Sequence, residues 1–160
     1  MSEVGSQSVS TIALRFSSDS LSGYQKIGDF KNLSSDSGFY TLNSAFKFYN
    51  ASGSSGSTTA NTSLDVVLTR SSSRTVNAYV GNNFTPIISF SNTGDIGVSN
   101  AVSNQSILWF FKDDNSRSKQ RSGRIDSLVI YKGALSGAQI ASGRVTSAPT
   151  TIPEPATVGA

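Results

Sequence analysis

Cysteine and histidine are both absent from the 160 residues. Without cysteine there is neither a disulfide framework nor a thiolate metal site, so stability has to come from packing. Without histidine the chain lacks the commonest general base, the imidazole partner of a serine nucleophile and the commonest transition-metal ligand. Glutamate is confined to Glu3 and Glu154. Retaining glycosidic chemistry needs two carboxyls about 5 Å apart, and no alternating acidic strand supplies them. Serine is abundant, but nothing stands ready to take its proton, so the serines read as turn and surface residues. On this reading the chain is not an enzyme.

Charge is sparse as well, at 14% of residues, with a net +3 and a pI near 9.3. The cations are dispersed, so no nucleic-acid partner is expected. No run approaches the roughly 18 apolar residues of a membrane-spanning helix. Nothing near Met1 reads as a basic segment followed by an apolar stretch, so localisation has to be argued from other features.

What is present is short-range alternation. Ile12, Leu14 and Phe16 alternate with Thr11, Ala13 and Arg15, a half-buried strand. Similar runs are Tyr24 to Phe30, Phe39 to Leu42, and Ala45 to Tyr49, where Phe46 and Phe48 share a face opposite Lys47. Asn50 to Ser63 is built from small and polar residues and reads as an exposed loop. Leu64, Val66 and Leu68, then Val76, Ala78 and Val80, lead into Gly81-Asn82-Asn83, a hairpin signal. Its return arm carries Phe84, Ile88 and Phe90 in phase, with Pro86 placing it at an edge or a bulge.

In Ile107 to Phe111 both faces are apolar, which predicts a strand between layers at the centre of the core. Ile125 to Tyr131 is the last strand, and Ala134 to Ile140 alone has helical spacing. Eight or more short strands with regular turns predict an all-β, two-sheet antiparallel jelly-roll sandwich with one short helix near 134–141. The expected organisation is a leader over 1–8, the sandwich over 9–145 and a Pro/Thr-rich tail over 146–160.

Three segments carry a resemblance: Leu21-Ser22-Gly23-Tyr24-Gln25-Lys26-Ile27 with Asp36-Ser37-Gly38-Phe39-Tyr40, Trp109 to Asp114, and Gly123 to Ser136. Together they resemble the laminin-G-like, concanavalin A-like domains of bacterial surface proteins. Ile152-Pro153-Glu154-Pro155-Ala156-Thr157 is similar to the start of a PEP-CTERM sorting signal, with Pro153, Glu154 and Pro155 as its core. The resemblance implies export, handling of the full-length precursor by exosortase-type machinery, and residence at the cell surface or in an extracellular matrix. It also implies a further strand ahead of the one at Ile12. Its absence would leave an open sheet edge with unpaired N–H and C=O groups, which a second subunit could fill.

Two constellations are candidate sites. Asp113 and Asp114 follow the Trp109 strand, and their oxygens could meet a distant carboxylate such as Asp36 around a calcium ion. The bland reading has them ending the strand and bonding the turn, with Lys112, Arg117 and Lys119 balancing their charge. Arg117, Lys119, Arg121 and Arg124 form a basic cluster that could engage acidic polysaccharide, or equally an ordinary solvated loop. Sugar rings stack on exposed aromatics. Tyr24, Tyr40, Tyr49 and Tyr79 are better placed for this in principle than Trp109, which reads as internal, although core packing is the default reading of them.

The expected function is a non-catalytic extracellular or cell-surface domain that binds carbohydrate or another matrix component, requiring no cofactor beyond possible calcium. The alternative is a structural subunit assembling as a homo-oligomer through its sheet edge.

Overall fold

A computed structural model describes residues 10–30, 33, 36–49, 51, 53–91, 108–113, 119–120 and 122–142. The expected strands form as β1 (Ser10–Ser18), β2 (Tyr24–Asp29), β3 (Phe39–Leu42), β4 (Ala45–Phe48), β5 (Leu64–Arg70), β6 (Thr75–Val80), β7 (Ile88–Ser91), β8 (Trp109–Phe110) and β9 (Gly123–Lys132). They make two antiparallel sheets, one of order β7-β6-β5-β1-β9 and one of order β4-β3-β2-β8. The fold is an all-β sandwich.

Period-two burial closes the two layers on each other. Ile12, Leu14 and Phe16 of β1 and Val66 and Leu68 of β5 face Ile27, Phe39, Phe46 and Phe48 of the smaller sheet. Ring contacts tie the core: Phe39 stacks on Phe46 at 5.5 Å, and Phe48 meets Phe90 across the layers at 5.1 Å. The outer face of the larger sheet carries the one helix among the described residues, α1 (Gly137–Ala141). Ser136 caps it reciprocally with Gln139, and Ile140 seats on Ala13, Val67 and Tyr79.

Two local expectations are corrected. The Trp109 stretch is not the centre of the core: β8 is a two-residue edge strand among the described residues, with Phe110 turned inward and Trp109 half-buried. Phe111 then adopts φ 54°, which ends the extended run, and Ile107 lies outside the described residues. Phe84 does not join its hairpin arm and is 71% exposed, because β7 begins only at Ile88, beyond Pro86.

β1 is interior to its sheet, hydrogen-bonded to β5 on one side and β9 on the other. A register shift between Arg15 and Phe16 makes Asp126 the extra residue of a bulge in β9. Direct pairing with Leu14 and Ile12 puts Leu128 and Ile130 on the core side of β9, yet they are 41% and 56% exposed.

Candidate functional site

The outer face of the four-stranded sheet holds the unusual chemistry, and a bulge creates it. In a regular strand, residues three apart point to opposite faces. In β2 the pairing with β3 shifts between Lys26 and Gly28, inserting one residue. Ile27 and Phe30 therefore both reach the core, while Lys26 and Asp29 share the outer face. Their Nζ and Oδ2 atoms lie 2.7 Å apart, and neither side chain is exposed.

The chain after β2 folds back over this pair. The Leu33 N–H donates to Asp29 Oδ1 at 2.8 Å, and Gly38 sits directly on Lys26. A Cβ at position 38 would stand 2.6 Å from the Gly28 carbonyl oxygen and 2.9 Å from Lys26 Cε, closer than any side chain tolerates. Glycine at 38 is thus what allows the ion pair to be covered by backbone.

Beside it stand three tyrosines. Tyr24 meets Tyr40 at 6.1 Å and 85° and Tyr49 at 5.9 Å and 88°, both edge-to-face arrangements that suit the ring quadrupoles. Tyr40 is the buried floor, and its hydroxyl donates to the Asp36 backbone oxygen and to Asp36 Oδ1. Tyr24 and Tyr49 are half-buried and form the wall above it. Trp109 pairs with Asp29 across the β2–β8 ladder, which sets its indole on this same outer face.

Four lysines complete the face. Lys26 lies over the Tyr40 ring at 5.5 Å, Lys47 over Tyr24 at 5.9 Å, Lys119 over Tyr49 at 5.3 Å and Lys112 over Trp109 at 4.0 Å. Lys119 also donates to Asp36 in a short ion pair. Burial opposes charge on Lys119, but the hydrogen bond and charge of Asp36, helped by Asp113 and Tyr49, outweigh it and hold the ammonium above its ordinary value.

Of the residues singled out in the sequence, Asp36, Asp113 and Lys119 are brought into one electrostatic cluster. Arg124 is not with them: it lies on β9 of the other sheet, paired with Asp126 at 2.6 Å. Asp114, Arg117, Arg121, Pro153, Glu154 and Pro155 lie outside the described residues. Among the described residues no three acidic side chains gather into a group able to hold a metal ion. Within the electrostatic cluster Asp36 is engaged by the Lys119 ammonium and the Tyr40 phenol.

Tyr79 proves to be on the far sheet beneath α1. The sequence gives Lys47 only an outward face and Lys112 only a charge-balancing place beside Asp113 and Asp114, and it does not pair Lys26 with Asp29. Alternation does place Lys47 opposite Phe46 and Phe48, whereas nothing local announces the bulge that aligns Lys26 with Asp29.

No protein family matches the sequence, and no curated protein does. Solved structures do match, and those below are forms of the sialidase of Trypanosoma rangeli. A mutant displaying trans-sialidase activity superposes with a TM-score of 0.62 at 14% identity, over 89% of this chain and 24% of that one. The sialidase in complex with the inhibitor DANA gives 0.61 at 16%, over 89% and 23%. The covalent intermediate with 2,3-difluorosialic acid gives 0.59 at 17%, over 86% and 22%.

The chain therefore spans less than a quarter of the length of these proteins, and the likeness is one of fold. It supports the two-sheet sandwich and does not carry the laminin-G-like or PEP-CTERM assignments. It overturns the expectation that the chain is not an enzyme, because the structures sharing its fold are enzymes. Missing histidine and paired glutamate are features of composition, and a fold shared with enzymes does not by itself fix a chemistry.

Proposed function

We propose that this chain is a carbohydrate-binding β-sandwich domain whose contact surface is the outer face and rim of the four-stranded sheet. The observation that carries the reading is the Tyr24–Tyr40–Tyr49 cluster, in which the half-buried rings of Tyr24 and Tyr49 stand at the sheet surface beside buried Tyr40, with Trp109 beyond the buried ion pair. Sugar C–H faces pack on such rings, and polar groups at the margin supply directional hydrogen bonds. The Lys26–Asp29 pair beneath keeps the floor rigid, so little order has to be created on binding.

Export to the cell surface or to an extracellular matrix is part of the proposal, supported by the sorting-signal resemblance at Pro153, Glu154 and Pro155. The partner on this reading is an extracellular polysaccharide or a glycosylated matrix component.

Affinity electrophoresis through gels containing a panel of soluble polysaccharides tests the site. Wild-type protein is expected to be retarded by at least one, and Trp109→Ala and Tyr49→Ala to run freely in the same gel while keeping wild-type circular dichroism. Retardation by none, or undiminished retardation of both variants, rules out this face as the contact surface.

A further inference from the structure

The four ring-capping lysines divide into two kinds. Lys26 and Lys119 have both a ring and a carboxylate, Asp29 and Asp36 respectively. Lys47 and Lys112 have a ring and, among the described residues, no carboxylate. The distinction is chemical. A carboxylate neutralises the ammonium that it binds, whereas an aromatic ring steadies an ammonium through its quadrupole and leaves the net charge in place.

A lysine held this way keeps N–H donors directed away from the ring. It has also surrendered part of the rotamer freedom that an unrestrained lysine loses on binding. Both side chains are partly exposed. Lys47 stands on β4 at one margin of the sheet and Lys112 follows β8 at the other, three strand spacings or about 14 Å apart. The tyrosine wall lies between these margins.

Building on the carbohydrate reading above, we infer that this face is selective for acidic glycans, with Lys47 and Lys112 receiving anionic groups on different sugars of one polymer. An ammonium is a compact charge without a bidentate geometry, so a carboxylate or a sulfate meets the same requirement. Two cations at opposite margins, separated by rings, favour a charged polymer over a charged monosaccharide.

Isothermal titration calorimetry with polygalacturonate and its fully methyl-esterified form, and with dextran sulfate and dextran, tests this. Removing the charge from the polymer is expected to weaken binding about tenfold or more, the scale of one charge-assisted hydrogen bond. Lys47→Met and Lys112→Met keep an aliphatic stem on the ring and should each cost about five- to tenfold toward the acidic form only. Lys47→Arg and Lys112→Arg should retain most of the affinity.

Equal affinity for charged and neutral forms, or wild-type affinity in the folded Lys47→Met/Lys112→Met double variant, overturns the inference while leaving the carbohydrate reading in place. Binding to duplex DNA as tight as to polygalacturonate, unaffected by Trp109→Ala, overturns it as well. Failure to bind any charged or neutral glycan removes the carbohydrate reading itself.

Discussion

Lys26 Nζ and Asp29 Oδ2 form a 2.7 Å ion pair with no solvent exposure on either side chain, three positions apart in one strand. The pair exists because a one-residue bulge rotates Asp29 onto the face of Lys26, and because Gly38 lets backbone close above them.

Breaking the pair should be costly. Asp29→Ala leaves an uncompensated buried ammonium and is expected to destabilise the fold by about 3–5 kcal/mol. The double variant Lys26→Met/Asp29→Leu removes both charges and should recover most of that loss. Urea unfolding followed by fluorescence compares the three proteins, and a double variant no better than Asp29→Ala would refute the account.

The Lys119–Asp36 contact predicts an alkaline limit. Lys119 has its affinity for a proton raised above the ordinary 10.5 by folding. The stabilisation it brings is therefore fully present below pH 10.5 and is lost as pH climbs through the raised value. Wild type should exceed Lys119→Met by roughly 0.5–1 kcal/mol at neutral pH, a partly exposed pair being screened by water. That margin should narrow only above about pH 10.5. A margin unchanged at pH 11.5, read by thermal melts of both proteins, contradicts the assignment.

Asp126 gives an acidic counterpart on the other sheet. The Ser63 hydroxyl donates to its Oδ2 at 2.6 Å, and this bond, with Arg124 and Arg15, holds its carboxyl below the ordinary 3.8. Its contribution is present above that value and fades as pH falls through the lowered one. In a carboxyl-carbon NMR titration the Asp126 midpoint should lie below 3.8 and move upward in Ser63→Ala.

Core and rim should respond differently to truncation. Phe39→Ala and Phe48→Ala each remove a ring from the centre of the inter-sheet packing and should cost about 3–5 kcal/mol. Leu128→Ala and Ile130→Ala, although on the core side of β9, are half-open to solvent and should cost roughly 1 kcal/mol or less. Equal losses in denaturant unfolding would mean that this end of β9 is packed as tightly as the centre.

Alternation alone was sufficient to read Ile12, Leu14 and Phe16, or Phe46 and Phe48, because one side chain in two must leave water whichever strand lies next to it. It misread Trp109, since five consecutive apolar residues look alike whether they lie between layers or on an edge strand with one face outward. Phe84 was misread because a local phase with Ile88 carries no information about whether the intervening Thr85-Pro86 can stay in the ladder.

The composition and period of the chain determined that it would form short strands burying alternate side chains, with Ser136 and Gln139 ready to start helix α1. Only the tertiary structure decided which polar residues meet. Lys26 with Asp29, Lys119 with Asp36 and Lys112 with Trp109 depend on a bulge, a closing backbone and the order of strands in a sheet. Lys119 and Asp36 come from distant segments, whereas Lys26–Asp29 and Lys112–Trp109 are each three positions apart and meet where a bulge and the positive φ of Phe111 break the alternation that local spacing encodes.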